Sequence, residues 1–215
     1  MKKNIFILGV GRNTPVYMDL AESCGYNPVA LYHYNGDKVG ESIHGVPVVD
    51  SNINLFKKSS LKGELFAVSV GNNLIRQDLS NKIRERGGLI PTLIHPSAII
   101  SKYAVLEEGV VVHANSVVQA DAIIEVDSVV CYNVSVTHTT KVGKGCYLAF
   151  GSTIGAYVTI HDNVFIGQSA AIVSGKVDYI GCSATVGAGS VVINNVEPFT
   201  VVAGNPAKVI RTLNG

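Results

Sequence analysis

Close cysteine pairs, charge and long apolar runs are all scarce in this sequence, and each scarcity closes off a class of function. Cys24, Cys131, Cys146 and Cys182 are widely separated and form no CxxC, so neither a zinc site nor a disulfide framework is expected. Only 15% of the residues are charged and the net charge is +1, which offers no general attraction to nucleic acid or to an anionic membrane. The opening "MKKNIFILGVGR" has two lysines and an apolar run of about five residues, too short for a signal peptide. No run approaches the roughly 20 apolar residues of a membrane span. A soluble, cytoplasmic protein is expected.

What is abundant is aliphatic residue. Hydrophobic types make up 47% of 215 residues, enough for one large packed domain or two modest ones. The chain divides near residue 90. Before it, "NIFIL", "NPVALYHY", "GVPVV" and "LFAVSVG" read as strands. "PVYMDLAESCG" and "NNLIRQDLSNKIRERGG" read as amphipathic helices, each stopped by glycine. Strands alternating with helices predict a Rossmann-like small parallel sheet over residues 1–92.

From residue 93 onward helical spacing vanishes. Aliphatic residues recur every six positions from Ile94 through Ile100, Leu106, Val112 and onward to Ile172, fourteen in succession. The register slips by two residues near "VDY" and resumes at Ile180, Val186 and Val192. Small residues such as Ala98, Ser116, Ala122, Ser128 and Ala170 stand two positions before the aliphatic ones. A helix of 3.6 residues per turn cannot keep a six-residue period on one face. A coil of three short strands with tight corners can, and residues eighteen apart then stack at about 4.8 Å.

These hexads resemble those of the hexapeptide-repeat acyltransferases, which implies a left-handed parallel β-helix over residues 93–215. The segments "FILGVG", "AVSVGNNLIRQDL", "IHPSAIIS" and "VVAGNPAKVI" narrow the resemblance. They are similar to the sugar O-acyltransferase / sialic acid O-acetyltransferase (NeuD-like) family, in its nucleotide-amino-sugar N-acetyltransferase branch. The resemblance implies a homotrimer with active sites between adjacent prisms. It also implies acetyl-CoA as co-substrate, a nucleotide-sugar acceptor and a role in bacterial surface glycan biosynthesis.

The family motif places a catalytic base at His138, within "HTTKVGKGCYLAFGS". An imidazole titrating near 6.5 suits proton removal from an attacking amine. Where the family carries a carboxylate, this chain has Thr139, and Tyr147 replaces a second histidine. Asp121, eighteen residues before Thr139, is a candidate to orient the imidazole from the coil below. Tyr147 is a candidate donor to the thioester carbonyl. By position, CoA is expected to pass Gly155, Ala156, Ser174, Gly187 and Ala188, and to reach Asn205, Pro206 and Lys208. The loop "GVGRNT" between a strand and a helix suits phosphate. Gly9, Gly11, Arg12, Asn13 and His33 are therefore the candidate nucleotide-sugar residues. No metal site is expected, because His113, His138 and His161 fall in hexads that lie on three different faces. O-acetylation of a sugar, or sugar-nucleotide binding without catalysis, are the alternatives.

Overall fold

Alternating apolar strands and helices build the first of two units, Met1–Leu93; the second is Ile94–Gly215. The computed structural model describes residues 2–213. In the first unit β1 (Lys3–Leu8) pairs in parallel with β2 (Tyr26–His33) on one side and β5 (Phe66–Val68) on the other. β4 (Val46–Ser51) extends the sheet beyond β2, again in parallel. Helix α1 (Thr14–Ser23) begins with Pro15 in its first turn, where a missing N–H does no harm. The short α2 (Asn52–Leu55) follows β4 directly, and α3 (Asn73–Glu85) follows β5. Asn72 starts α3 by accepting the Ile75 N–H at 3.0 Å through its side chain. Leu8, Phe66, Leu79 and Ile83 close the core between α3 and the sheet.

The expected all-parallel sheet is corrected in one place. β3 (Ser42–Ile43) runs antiparallel to β4, giving the order β3-β4-β2-β1-β5. His44 and Gly45 join the two strands with φ of 46° and 83°, the left-handed pair that a two-residue hairpin loop requires.

The second unit is a left-handed parallel β-helix. Its two-residue strands run from β6 (Leu93–Ile94) to β22 (Val191–Val192) and stack into three faces. Register confirms the eighteen-residue coil: Val117 lies beside Ser135, Ser135 beside Thr153, and Thr153 beside Ala171. The two-residue slip appears as Thr159 beside Tyr179. From Val112 to Ile172 every hexad aliphatic is buried.

Each hexad turns its corner on one left-handed residue, repeated every six positions from Gly109 to Gly175. Asn115, Asp121, Asp127, Asn133 and Asn163 suit that backbone, since Asn and Asp tolerate it better than other side-chain residues. The small residue before each strand is buried inside the corner. There Ser128 Oγ donates to the Gly143 carbonyl at 2.7 Å and Thr140 Oγ1 to the Gly155 carbonyl at 2.7 Å. The coil ends in a hairpin of β23 (Thr200–Ala203) and β24 (Lys208–Thr212). Among the described residues no helix is long and apolar enough to cross a membrane.

Candidate active site

His138 stands exposed on the corner between β13 (Ser135–Val136) and β14 (Lys141–Val142). Its backbone N–H is held by Gln119 Oε1 at 3.1 Å, one coil below. Its ring Nδ1 lies 3.3 Å from Thr139 Oγ1, and the Tyr157 ring meets it edge-on at 5.3 Å between centroids. Thr139 and Tyr157 are the left-handed corner residues of successive coils, with φ of 58° and 62°. A β-branched or bulky side chain in that conformation is strained by about 1–2 kcal/mol. Two such residues in one corner column both touch the histidine.

Asp121 was expected to orient the ring from the coil below. It does stack below Thr139, as the Thr139 N–H bond to the Ala120 carbonyl at 3.1 Å requires. Its carboxylate is exposed, however, and among the described residues the hydrogen-bond partner of the imidazole is Thr139. Tyr147 is also absent from this corner within one chain. It lies in β15 (Tyr147–Leu148), on the face opposite, stacked on Phe165 with centroids 5.6 Å apart.

Three of the expected cofactor residues do gather here. Gly155 and Ala156 form the same corner one coil above His138, and Ser174 the coil above that. A Cβ on Gly155 would stand 2.5 Å from the Ser174 backbone N and 2.6 Å from the Ile172 carbonyl, so only glycine fits. The Ala156 N–H donates to Ser174 Oγ at 2.8 Å, leaving the serine hydroxyl proton available as a donor. Gly187 and Ala188 belong to a different corner, beside Gly167. Asn205, Pro206 and Lys208 are exposed around the final hairpin.

His113 and His161 occupy the other two corners. His113, almost fully buried, stacks on Tyr132 at 4.6 Å. Burial, with His95 nearby, pushes its pKa down to about 4, so it is neutral near pH 7. His161 meets Tyr179 edge-on at 6.3 Å.

A cavity of about 610 Å³ lies in the first unit at the ends of β1 and β5. Gly9, Val10 and Gly11 form one wall, with Ser69, Val70 and the α3 residues Ile75, Leu79 and Lys82 opposite. Gly9 has φ of 101°, and a Cβ there would meet Ser69 Oγ at 2.9 Å. The Thr14 hydroxyl ties the loop together: it accepts the Gly11 N–H and donates to the Gly9 carbonyl, both at 2.8 Å. Asn13 begins α1 without a side-chain cap, which leaves positive backbone charge at this helix end.

Of the expected nucleotide residues, Gly9 and Gly11 line the cavity, whereas Arg12, Asn13 and His33 do not. His33 is buried, with its Nδ1 3.2 Å from the Asn35 carbonyl, and its neighbour Tyr34 lines the cavity instead. Sequence reading also passed over Asn52, Ile53 and Phe56, in and just after α2, and over Lys82 and Arg86. The α3 residues were legible as one face, spaced i, i+4, i+7 and i+11 from Ile75.

A hexad β-helix with an exposed histidine on one corner, behind a small α/β unit, is the architecture of the hexapeptide-repeat acyltransferases. Residues 4–83 match the PglD N-terminal domain. The GDP-perosamine N-acetyltransferase of Escherichia coli O157:H7 is 27% identical over 206 residues, covering 94% of this chain and 92% of that protein. A histidine-to-alanine variant of GDP-perosamine N-acetyltransferase from Caulobacter crescentus, solved with CoA and GDP-perosamine, superposes with a TM-score of 0.89. It is 30% identical, with 97% of each chain covered. The acetyltransferase domain of PglB from Neisseria gonorrhoeae FA1090 gives a TM-score of 0.88 at 28% identity, covering 97% of this chain and all of that one. The chain is an acyltransferase that belongs to the nucleotide-amino-sugar N-acetyltransferase branch of the hexapeptide-repeat family.

Proposed function

We propose that this protein transfers the acetyl group of acetyl-CoA to the amine of a sugar carried on a nucleoside diphosphate, in bacterial surface glycan biosynthesis. The observation that carries the reading is His138, exposed on a corner with Thr139 against its Nδ1 and the bare Gly155–Ala156 backbone directly above. The amine nitrogen attacks the thioester carbonyl while His138 Nε2 takes its proton. The tetrahedral intermediate collapses, the C–S bond breaks, and the thiolate leaves as CoA with the proton returned from the imidazolium. An amine is intrinsically nucleophilic and tolerates a base without a carboxylate partner, which favours N- over O-acetylation. The relatives named for perosamine, an amino sugar, favour the same choice.

CoA binds along the corner of Gly155, Ala156 and Ser174, with Gly187–Ala188 and the Lys208 hairpin supplied across the groove between prisms of a homotrimer. The nucleotide occupies the cavity of the first unit, its phosphates on the Gly9–Gly11 loop. The test is acetyl transfer from acetyl-CoA to a nucleotide-linked amino sugar, with the product amide assigned by NMR. His138→Ala is expected to lower turnover by about 10²–10⁴ with CoA affinity little changed. Near-wild-type turnover in that variant would remove the imidazole from the mechanism and leave proximity alone.

A further inference from the structure

The cavity of the first unit has a cation, Arg86, in its lining. Ile75, Leu79, Lys82 and Arg86 line it along one face of α3 and the turn that follows. At 1.5 Å per residue, Arg86 lies roughly 16 Å along the helix axis from Ile75. Ile75 is at the end where Ser69 and Val70 pack against Gly9, the phosphate end. Arg86 therefore marks the far end. Between them Ile53, Phe56, Ile75 and Leu79 supply apolar walls for a flat ring.

Arg86 is fixed in place. Its Nε donates to the Phe56 carbonyl at 3.1 Å, one Nη donates to the Lys82 carbonyl at 3.1 Å, and the guanidinium sits 5.3 Å from the Phe56 ring centroid. Among the described residues the carboxylate paired with it is Glu85, 3.8 Å away and largely exposed. Two of its five N–H donors are taken, so three remain. No carboxylate lines the cavity. One turn before Phe56, Asn52 is buried at 7% exposure, lines the same cavity, and carries an Oδ1 without a hydrogen-bond partner.

We propose that Arg86 reads the edge of the nucleotide base and selects guanine, an inference that rests on the cavity being the nucleotide site. Guanine presents O6 and N7 side by side, two acceptors matched to the fork of an arginine. Adenine sets an amino group beside N7, and cytosine turns an amino group where a carbonyl is wanted; both oppose a cation that has only donors. Uracil offers O4 alone. Guanine also carries N1–H and N2–H donors next to O6, which suit the unpartnered acceptor of Asn52.

Calorimetry of the full chain with GDP, UDP, ADP and guanosine, at one salt concentration, tests this. GDP is expected to bind about 10- to 100-fold more tightly than ADP, with UDP between them. Arg86→Leu should remove most of that margin, weaken guanosine in parallel with GDP, and leave ADP within twofold. Arg86→Lys keeps the charge but loses the fork, and should also lose the margin while melting at the wild-type temperature. Equal affinity for GDP and ADP in the wild type overturns the proposal. So does an Arg86→Leu loss shared equally by ADP and absent for guanosine, which would put Arg86 on the phosphates. Failure of every nucleotide to bind at millimolar concentration sinks the nucleotide reading of the cavity itself.

Discussion

Thr139 combines a β-branched side chain in left-handed backbone with the one hydrogen bond to the ring of His138 among the described residues. Thr139→Gly is expected to raise stability by about 1 kcal/mol, because glycine adopts φ near 60° without strain. The same change should lower turnover, since the imidazole loses the hydroxyl that orients its ring. Thermal melts and steady-state rates on one preparation check both signs. Thr139→Asp tolerates the backbone and adds a carboxylate next to the ring. It should keep the ring oriented, so its turnover should stay at or above that of the wild type. Asp121→Asn should leave kcat within about twofold, because among the described residues it is Thr139 that hydrogen-bonds the ring. The exposed corner of His138 and the stacking of Asp121 beneath Thr139 were legible in the sequence, whereas the contact of Thr139 with the ring was not. Eighteen-residue spacing fixes which Cα atoms stack, whereas the direction of a side chain at a left-handed corner is not a periodic property. His33 and Tyr34 repeat the lesson at the end of β2, where adjacent residues point to opposite sides and only one reaches the cavity.

At the level of single elements, the hexad strands were fully legible because each contributes one buried aliphatic to a shared interior. Even the two-residue slip was visible, and it emerges as the offset pairing of Thr159 with Tyr179. The hairpin of β3 and β4 was not, because His44-Gly45 lacks the usual Asn-Gly or Asp-Gly signature. The corner of His113 is a place where coil stability depends on pH. The folded pKa, near 4, lies below the unfolded value near 6.5, so between those limits the unfolded chain binds the extra proton. Stability from this group is therefore complete above pH 6.5 and falls as the pH drops towards 4, by about 3 kcal/mol in all. His113→Phe keeps an aromatic ring against Tyr132 and removes the titration. Denaturant unfolding of both proteins at pH 7 and pH 4.5 should show a smaller acid loss in the variant. Equal losses would mean that other groups govern the acid transition.

At the scale of the whole molecule, one β-helix closes its interior but leaves apolar side chains outside. Val105 and Ile123 are register neighbours on the five-stranded face, exposed at 52% and 37%. Ile99 and Tyr103, from the same early coils, are more exposed still. Burying such side chains releases about 25 cal/mol per Å² of apolar surface, which a lone prism forgoes and an assembly gains. The proposed reaction needs that assembly for a second reason. Within one chain, the His138 corner and the Gly187–Ala188 corner are separated by the six-stranded face, so one cofactor cannot follow both unless a second prism supplies one of them. Light scattering is therefore expected to give three chains per particle at low micromolar concentration. A paired Val105→Glu and Ile123→Glu substitution should dissociate the particle and abolish acetyl transfer, while nucleotide binding to the first unit survives. A monomer that transfers acetyl at the wild-type rate would place the whole site within one chain. CoA would then have to bind at the corner of His138, Gly155 and Ser174 alone.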